Sequence, residues 1–572
     1  MIDAHKLTTT QMLTMVLSNE EEKIGMKGNW VKKVAVSMMC LAMVTGCGSN
    51  GSSGSKEISV NLTAEPPEMN SILTTSSGSM NVLRHCVEGL VVLDAKDEAQ
   101  PGMAESWDVS PDKKTYTFHL RKGQKWSNGE EVTAKDFVFA WNKHFTKKSG
   151  AAYASTWMTK IAGAEDVFNA KDDAALKKAL ANAGWKAKDD YTFEVTFTGP
   201  FQYAVVLMAF PSFFPVNEKA FNDAGAAKDI KKYGTSEKTM AYNGPYKITS
   251  WTHEDSLVLE KNQDYWNKDA IKLDKITMKM IGNMTTAVNE FNNGTIDMID
   301  LDGENAKTLK KDGKNVQAFD DGGVWYLEFN SQAKNLGLNN AKVRKGITLA
   351  IDAKAMAESI LQNASPVATT MTPAAVANGE FKKTVGDLLT RDGDYAKAKA
   401  MLEEGLKEEG LTLAKFTPTL LCDDTSSAKK QAEFLQAQFK DNLGVKLEVK
   451  QVTYKSRLDL MDKGQFDIVF AGWSADYNDP MTYLDMWMTG NGNNHGKWSN
   501  AEYDALINKA SSLADKDQYY ATLKKAEQIL ADECPIGVVF DRQKDFITTD
   551  KLKGVVRTAF QDMNFNYAYI EE

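Results

Sequence analysis

Few residues in this chain carry obvious chemistry. Its 572 residues include six histidines and five cysteines, with no Gly-x-Ser-x-Gly elbow and no His-Glu-x-x-His helix, which removes the common signatures of serine and zinc hydrolases. His5, His85, His119, His144, His253 and His495 are too dispersed for a metal motif, so no metal and no cofactor are expected. Gly490 to Lys497 has the wrong spacing for a phosphate loop, and Trp498 stands where Ser or Thr is required. Asp320-Asp321 and Asp423-Asp424 read as solvated turns rather than as catalytic pairs. Positive charge is short as well. Lys and Arg number 68 against 77 Asp and Glu, for a net charge of −9 and no basic block, so nucleic acid is not an expected partner.

What is present is bulk and aromaticity. The length exceeds what one hydrophobic core organises, so two or three domains are expected. The 42% hydrophobic and 10% aromatic content fills a large core, with aromatics to spare for a cleft. From Met26 a basic stretch precedes the apolar run Val34 to Val44, eleven residues long, and then Val44-Thr45-Gly46-Cys47. That run is too short to span a bilayer and fits a secretory signal. The arrangement resembles a bacterial lipoprotein signal, which implies cleavage before Cys47 and lipidation of its sulfur. Residues 1–25 fit no signal design, and Met26 is the expected start of translation. The Gly/Ser-rich Gly48 to Ser55 reads as a tether. Cys86, Cys422 and Cys534 remain, and three thiols cannot all pair.

The stretch Gly472-Trp473-Ser474-Ala475-Asp476-Tyr477-Asn478-Asp479-Pro480 follows the short apolar run Phe466 to Ala471, which reads as a buried strand ending where the stretch begins. Thr417 to Cys422 and Val445 to Val452 are two further strands. Between them Ala428, Ala432, Leu435 and Phe439 keep helical spacing, with Asp424, Thr425 or Ser426 as N-cap and Gly444 as the stop. This is a β-α-β-α-β pattern of α/β class, and in such sheets ligands sit beyond the carboxyl ends of the strands, where Trp473 and Asp476 fall. The first half instead suggests antiparallel strands, among them Tyr116 to Leu120 and Thr192 to Phe197. Thr133 with Asp136 reads as a capping box for the helix Ala134 to Phe145. Strands are also expected at Leu257 to Glu260, Ile276 to Met280 and Val324 to Phe329, and Thr370 to Gly379 reads as a surface loop.

Several segments match one family in order: Glu65-Pro66-Pro67, Glu88-Gly89-Leu90, Pro101 to Trp107, Tyr116 to Trp126, Val132 to Trp141, Asn243-Gly244-Pro245-Tyr246, Tyr326 to Asn330, Val343-Arg344-Lys345 and Trp473 to Pro480. They resemble the extracellular solute-binding proteins of the oligopeptide class, the peptide receptors of ABC importers. The resemblance implies a hinged two-lobe flytrap of three domains, the first of them discontinuous. Domain I would comprise 56–100, 216–320 and 541–572, domain II 101–215 and domain III 321–540, preceded by a leader (1–46) and a tether (47–55). It also implies a non-enzymatic, monomeric, lipid-anchored receptor on the outer face of a bacterial membrane, passing oligopeptides to a permease. By position Asp476 matches the carboxylate that holds a peptide's α-ammonium, Gly472, Trp473 and Ser474 flank the peptide backbone, and Tyr153 faces the ligand, with Glu88 and Tyr326 as further carry-overs. Some members carry an arginine three residues before the motif tryptophan, and Phe470 stands there here, so no fixed carboxylate clamp is expected at that position. The alternatives are a receptor of this fold for a dipeptide, glycan or metal chelate, and an extracytoplasmic peptidase.

Overall fold

Alternating Ile58 and Val60 bury one face of strand β1 (Glu57–Asn61), the first element of a computed structural model that describes residues 56–571. The leader, Cys47 and the tether lie outside the described residues. Helix Ser77–Cys86 follows, its N-terminus capped by the Ser76 side chain. A small hairpin, β2 (Val91–Leu93) with β3 (Ala99–Pro101), leads into β4 (Ala104–Val109) and β5 (Thr115–Leu120), and then β6 (Trp185–Asp189) and β7 (Thr192–Thr196). The last four form an antiparallel sheet in the order β4-β5-β7-β6, as the alternating pattern leads one to expect. Helix Ala134–Phe145 packs on it through Phe137, Ala140 and Trp141, and its capping box is formed, with Thr133 N donating to Asp136 Oδ2 at 2.7 Å.

Apart from the short pair Leu552–Lys553 and Tyr569–Ile570, the remaining strands join β1 in one ten-stranded sheet. They are β8 (Tyr246–Thr252), β9 (Ser256–Lys261), β10 (Lys275–Lys279), β11 (Met298–Leu301), β12 (Val316–Phe329), β13 (Thr419–Asp423), β14 (Glu448–Val452), β15 (Ile468–Ser474) and β16 (Ile536–Thr548). The order is β14-β13-β15-β12-β16-β11-β1-β10-β9-β8. β13 pairs in parallel with both β14 and β15, which bears out the β-α-β-α-β reading. Thr425 is the cap of the intervening helix, accepting from Ala428 N at 3.1 Å, and Gly444 ends that helical segment in the left-handed region.

Four details differ from the sequence reading. β15 runs on to Ser474 because β12 offers pairing partners as far as Gly323. β12 is 14 residues long rather than six, and Asp320-Asp321, expected as a solvated turn, sits at a bulge inside it, where Gly322 takes φ +68° and Asp321 is buried against Arg542. Asp423 likewise ends a strand and accepts from Arg457 Nε at 2.8 Å. Thr370 to Gly379 is not a surface loop throughout. Met371, Thr372, Val376 and Ala377 are buried, because the Glu527 carboxylate accepts from Met371 N and Thr372 N and so satisfies backbone that would otherwise need water.

Candidate functional site

The last three residues of β15 build one wall. Gly472, Trp473 and Ser474 oppose Trp325, Val324 and Gly323 of β12, which in turn oppose Phe540, Asp541 and Arg542 of β16. Directly opposed residues share a face of the sheet, so Trp473, Val324 and Asp541 lie on one side and the other two rows on the reverse. Gly472 is required here, since a Cβ would come within 2.6 Å of the Trp325 indole. Trp325 stacks on Phe540 at 5.9 Å and 10°, and the Arg542 guanidinium sits 4.4 Å from its ring centroid. Gly323 leaves room for Arg542 to reach Ser474, donating to its Oγ at 3.3 Å.

Beyond Ser474 the chain turns and is pinned by its own polar groups. Asp476 N donates to Thr482 Oγ1 at 3.3 Å, Asp479 accepts from Met481 N at 2.8 Å and from the Tyr519 hydroxyl, and Asn478 accepts from Ala377 N at 2.6 Å. Asp476 is half-buried, and its carboxylate accepts one hydrogen bond, from the Tyr153 hydroxyl at 2.9 Å. Burial pushes the Asp476 carboxyl up to about 7. The Tyr153 bond opposes that rise and the Asp485 charge adds to it.

Tyr153 comes from the helix Ala152–Trp157, 323 residues away in sequence. Its ring stacks on Trp157 at 5.8 Å and meets Phe210 edge-on at 5.0 Å. Trp157 in turn contacts Tyr477, which stacks on Tyr203 at 4.4 Å. Lys160 pairs with Asp485 at 2.9 Å. An aromatic wall from residues 153–213 thus meets the 473–485 segment, with a partly neutralised carboxylate at the seam. A carboxylate with spare acceptor capacity can pair with a cation that arrives with its own hydrogen-bond donors.

The expected residues therefore divide. The structure brings Tyr153 and Asp476 into contact and lines up Gly472, Trp473 and Ser474 beside them. Glu88 lies elsewhere, 3% exposed, and both its oxygens are occupied, by the Tyr265 hydroxyl and by Trp266 Nε1 at 2.7 Å. Burial raises its carboxyl to about 7 against those two bonds. Tyr326 is also 3% exposed and packs edge-on against Trp487 in the interior. Sequence reasoning missed Trp325, Asp541 and Arg542. The one signal for the last two was a charged pair inside the long apolar run of β16.

Comparison with known proteins agrees with this architecture. Residues 98–495 match the family model of bacterial extracellular solute-binding proteins, family 5 Middle. The oligopeptide-binding protein OppA of Bacillus subtilis is 35% identical over 92% of this chain and 96% of its own length. The dipeptide-binding protein DppE of the same organism is 32% identical over 88% and 90%. The crystal structure of Haemophilus influenzae OppA in complex with RPPGFSPFR superposes with a TM-score of 0.76 at 28% identity, over 90% of this chain and 99% of the other. Sharing their α/β fold over nearly its whole described length, this chain belongs to the bacterial extracellular solute-binding proteins of family 5, which are receptors and not enzymes.

Proposed function

We propose that this chain is an oligopeptide receptor that takes the α-ammonium of an extended peptide on Asp476 and delivers the peptide to an ABC permease. The observation that carries the reading is the Asp476 carboxylate, raised to about 7 and held by a single donor where two aromatic-lined segments meet. Gly472, Trp473 and Ser474 flank the ligand backbone, and backbone pairing leaves side-chain identity largely free. Tyr153 closes over the ligand from the opposite wall. Glu88 and Tyr326 support the walls, since the first is saturated and the second lies in the core. The chain works as a hinged trap, with domain II at 101–215, domain III at 321–540 and domain I made of the three other segments. Cys47 anchors it by lipid to the outer face of the membrane.

Purification that retains the native ligand, followed by mass spectrometry, tests the reading. Peptides of several residues are the expected result, and a glycan or metal chelate would overturn it. The likeness to DppE favours dipeptides as a second reading, and the same spectrum separates the two by ligand length. For the anchor, C47A should release the protein from the membrane or leave its leader uncleaved.

A further inference from the structure

Arg84 stands in the last turn of helix Ser77–Cys86, and its Nε is buried with no hydrogen-bond partner. The charge is not isolated, because Asp97 and Asp562 contribute to its field. Both are engaged elsewhere, however. Asp97 accepts from Thr558 and Gln561, and Asp562 pairs with Lys544 and Arg557. Arg84 is part-buried, and a guanidinium N–H that has lost water without gaining an acceptor is costly, a cost that an anion completing it offsets.

Arg84 lines a cavity of about 240 Å³, whose walls include Val91, Ala209, Phe214 and Ile271. A second orphan group also lies on this cavity, the buried Asn566 Oδ1, which accepts no hydrogen bond. It suits a backbone N–H. Glu88 is on the same wall but spends both oxygens on Tyr265 and Trp266. Two links tie the cavity to the Asp476 seam. Phe210, next to the wall residue Ala209, packs on Tyr153, and the Arg84 charge acts on the Tyr153 phenol that bonds Asp476. Tyr153 thus bonds the Asp476 carboxylate and feels the Arg84 charge, so the two groups together suit a molecule that bears both an ammonium and an anion.

We infer that Arg84 receives a carboxylate of the bound peptide, either its C-terminus or an acidic side chain, in the cavity it lines with Phe214 and Asn566. The inference rests on the peptide reading above and identifies the cation that Phe470 does not supply.

Calorimetry on matched peptides with free N-termini tests it. One pair differs only by C-terminal amidation, and the others carry Asp or Asn at each position in turn. In the parent protein the carboxylate member of one pair should bind roughly 10- to 100-fold more tightly. R84Q should erase that preference and leave affinity for the uncharged member unchanged, while R84K should restore part of it. The pair that responds tells terminus from side chain. A preference that persists in R84Q, or no preference in any pair, overturns the inference and leaves peptide binding intact. If the parent binds none of the peptides, the peptide reading itself fails and the inference falls with it. Should R84Q not fold, a structure of the parent with its preferred peptide decides. A carboxylate oxygen about 3 Å from the guanidinium supports the inference, and one lodged elsewhere refutes it.

Discussion

Half-buried Asp476 and buried Glu88 are both carboxylates raised to about 7, yet their surroundings differ in kind. Glu88 is saturated by Tyr265 and Trp266, two neighbours in sequence that pack as one unit. Asp476 has one donor, and that donor comes from a segment 323 residues away. A saturated buried carboxylate holds a fold together, whereas one with spare acceptor capacity at a seam between segments is held ready for a partner. A shifted pKa alone does not separate the two cases, and the hydrogen-bond inventory does.

The sharpest way to break the comparison is to neutralise each carboxylate in turn. D476N should weaken peptide binding by about 2–5 kcal/mol, as for other charge pairs stripped of one partner, whereas E88Q should change affinity by less than about 0.5 kcal/mol, because both Glu88 oxygens are taken by Tyr265 and Trp266 and offer a ligand nothing. Calorimetry on both variants reads this, and equal losses would remove the distinction.

Stability should show the reverse order. E88Q places an amide N–H against a donor and should cost about 1–3 kcal/mol in chemical denaturation. D476N should stabilise the ligand-free protein by about 1–2 kcal/mol at pH 8, discounted from the full shift because the residue keeps some solvent contact. The sign follows from a folded-state pKa raised from 3.8 to about 7. The penalty for ionising Asp476 is absent below the lower value and grows as pH rises between the two. The gain in D476N should therefore vanish near pH 4.

Gly472 sharpens the comparison at the wall beside Asp476. G472A sets a Cβ against Trp325 and should cost about 1–3 kcal/mol of stability through overpacking, with some loss of affinity as β15 shifts. A smaller effect than that of D476N is expected of Y153F. Losing the one donor raises the Asp476 pKa further, so the pH at which peptide affinity falls should move upward, with a change of about 0.5–1.5 kcal/mol at neutral pH.

Much of this was legible in the chain itself. Helical spacing between a cap at Asp424, Thr425 or Ser426 and a stop at Gly444 located the parallel strands around β13, and Thr133 with Asp136 located a helix start to the residue. Asp476 was singled out by its place after a strand, whereas Trp473, read the same way, lies within β15. The bulge at Asp320-Asp321-Gly322-Gly323 was not legible, since that string has the composition of a turn and only pairing with β15 and β16 holds it extended. Arg542 and Arg84 escaped for a similar reason. Their surroundings come from strand register and from segments hundreds of residues apart, and the charged pair in β16 marks Arg542 without showing what it meets.

The central claim is that Asp476 holds the peptide's α-ammonium. Calorimetry with one peptide and its N-acetylated form, on the parent protein and on D476N, tests it most directly. The account predicts that acetylation costs the parent about 2–5 kcal/mol and costs D476N little, because the counter-charge is already gone. Equal affinity of the parent for both forms would contradict it.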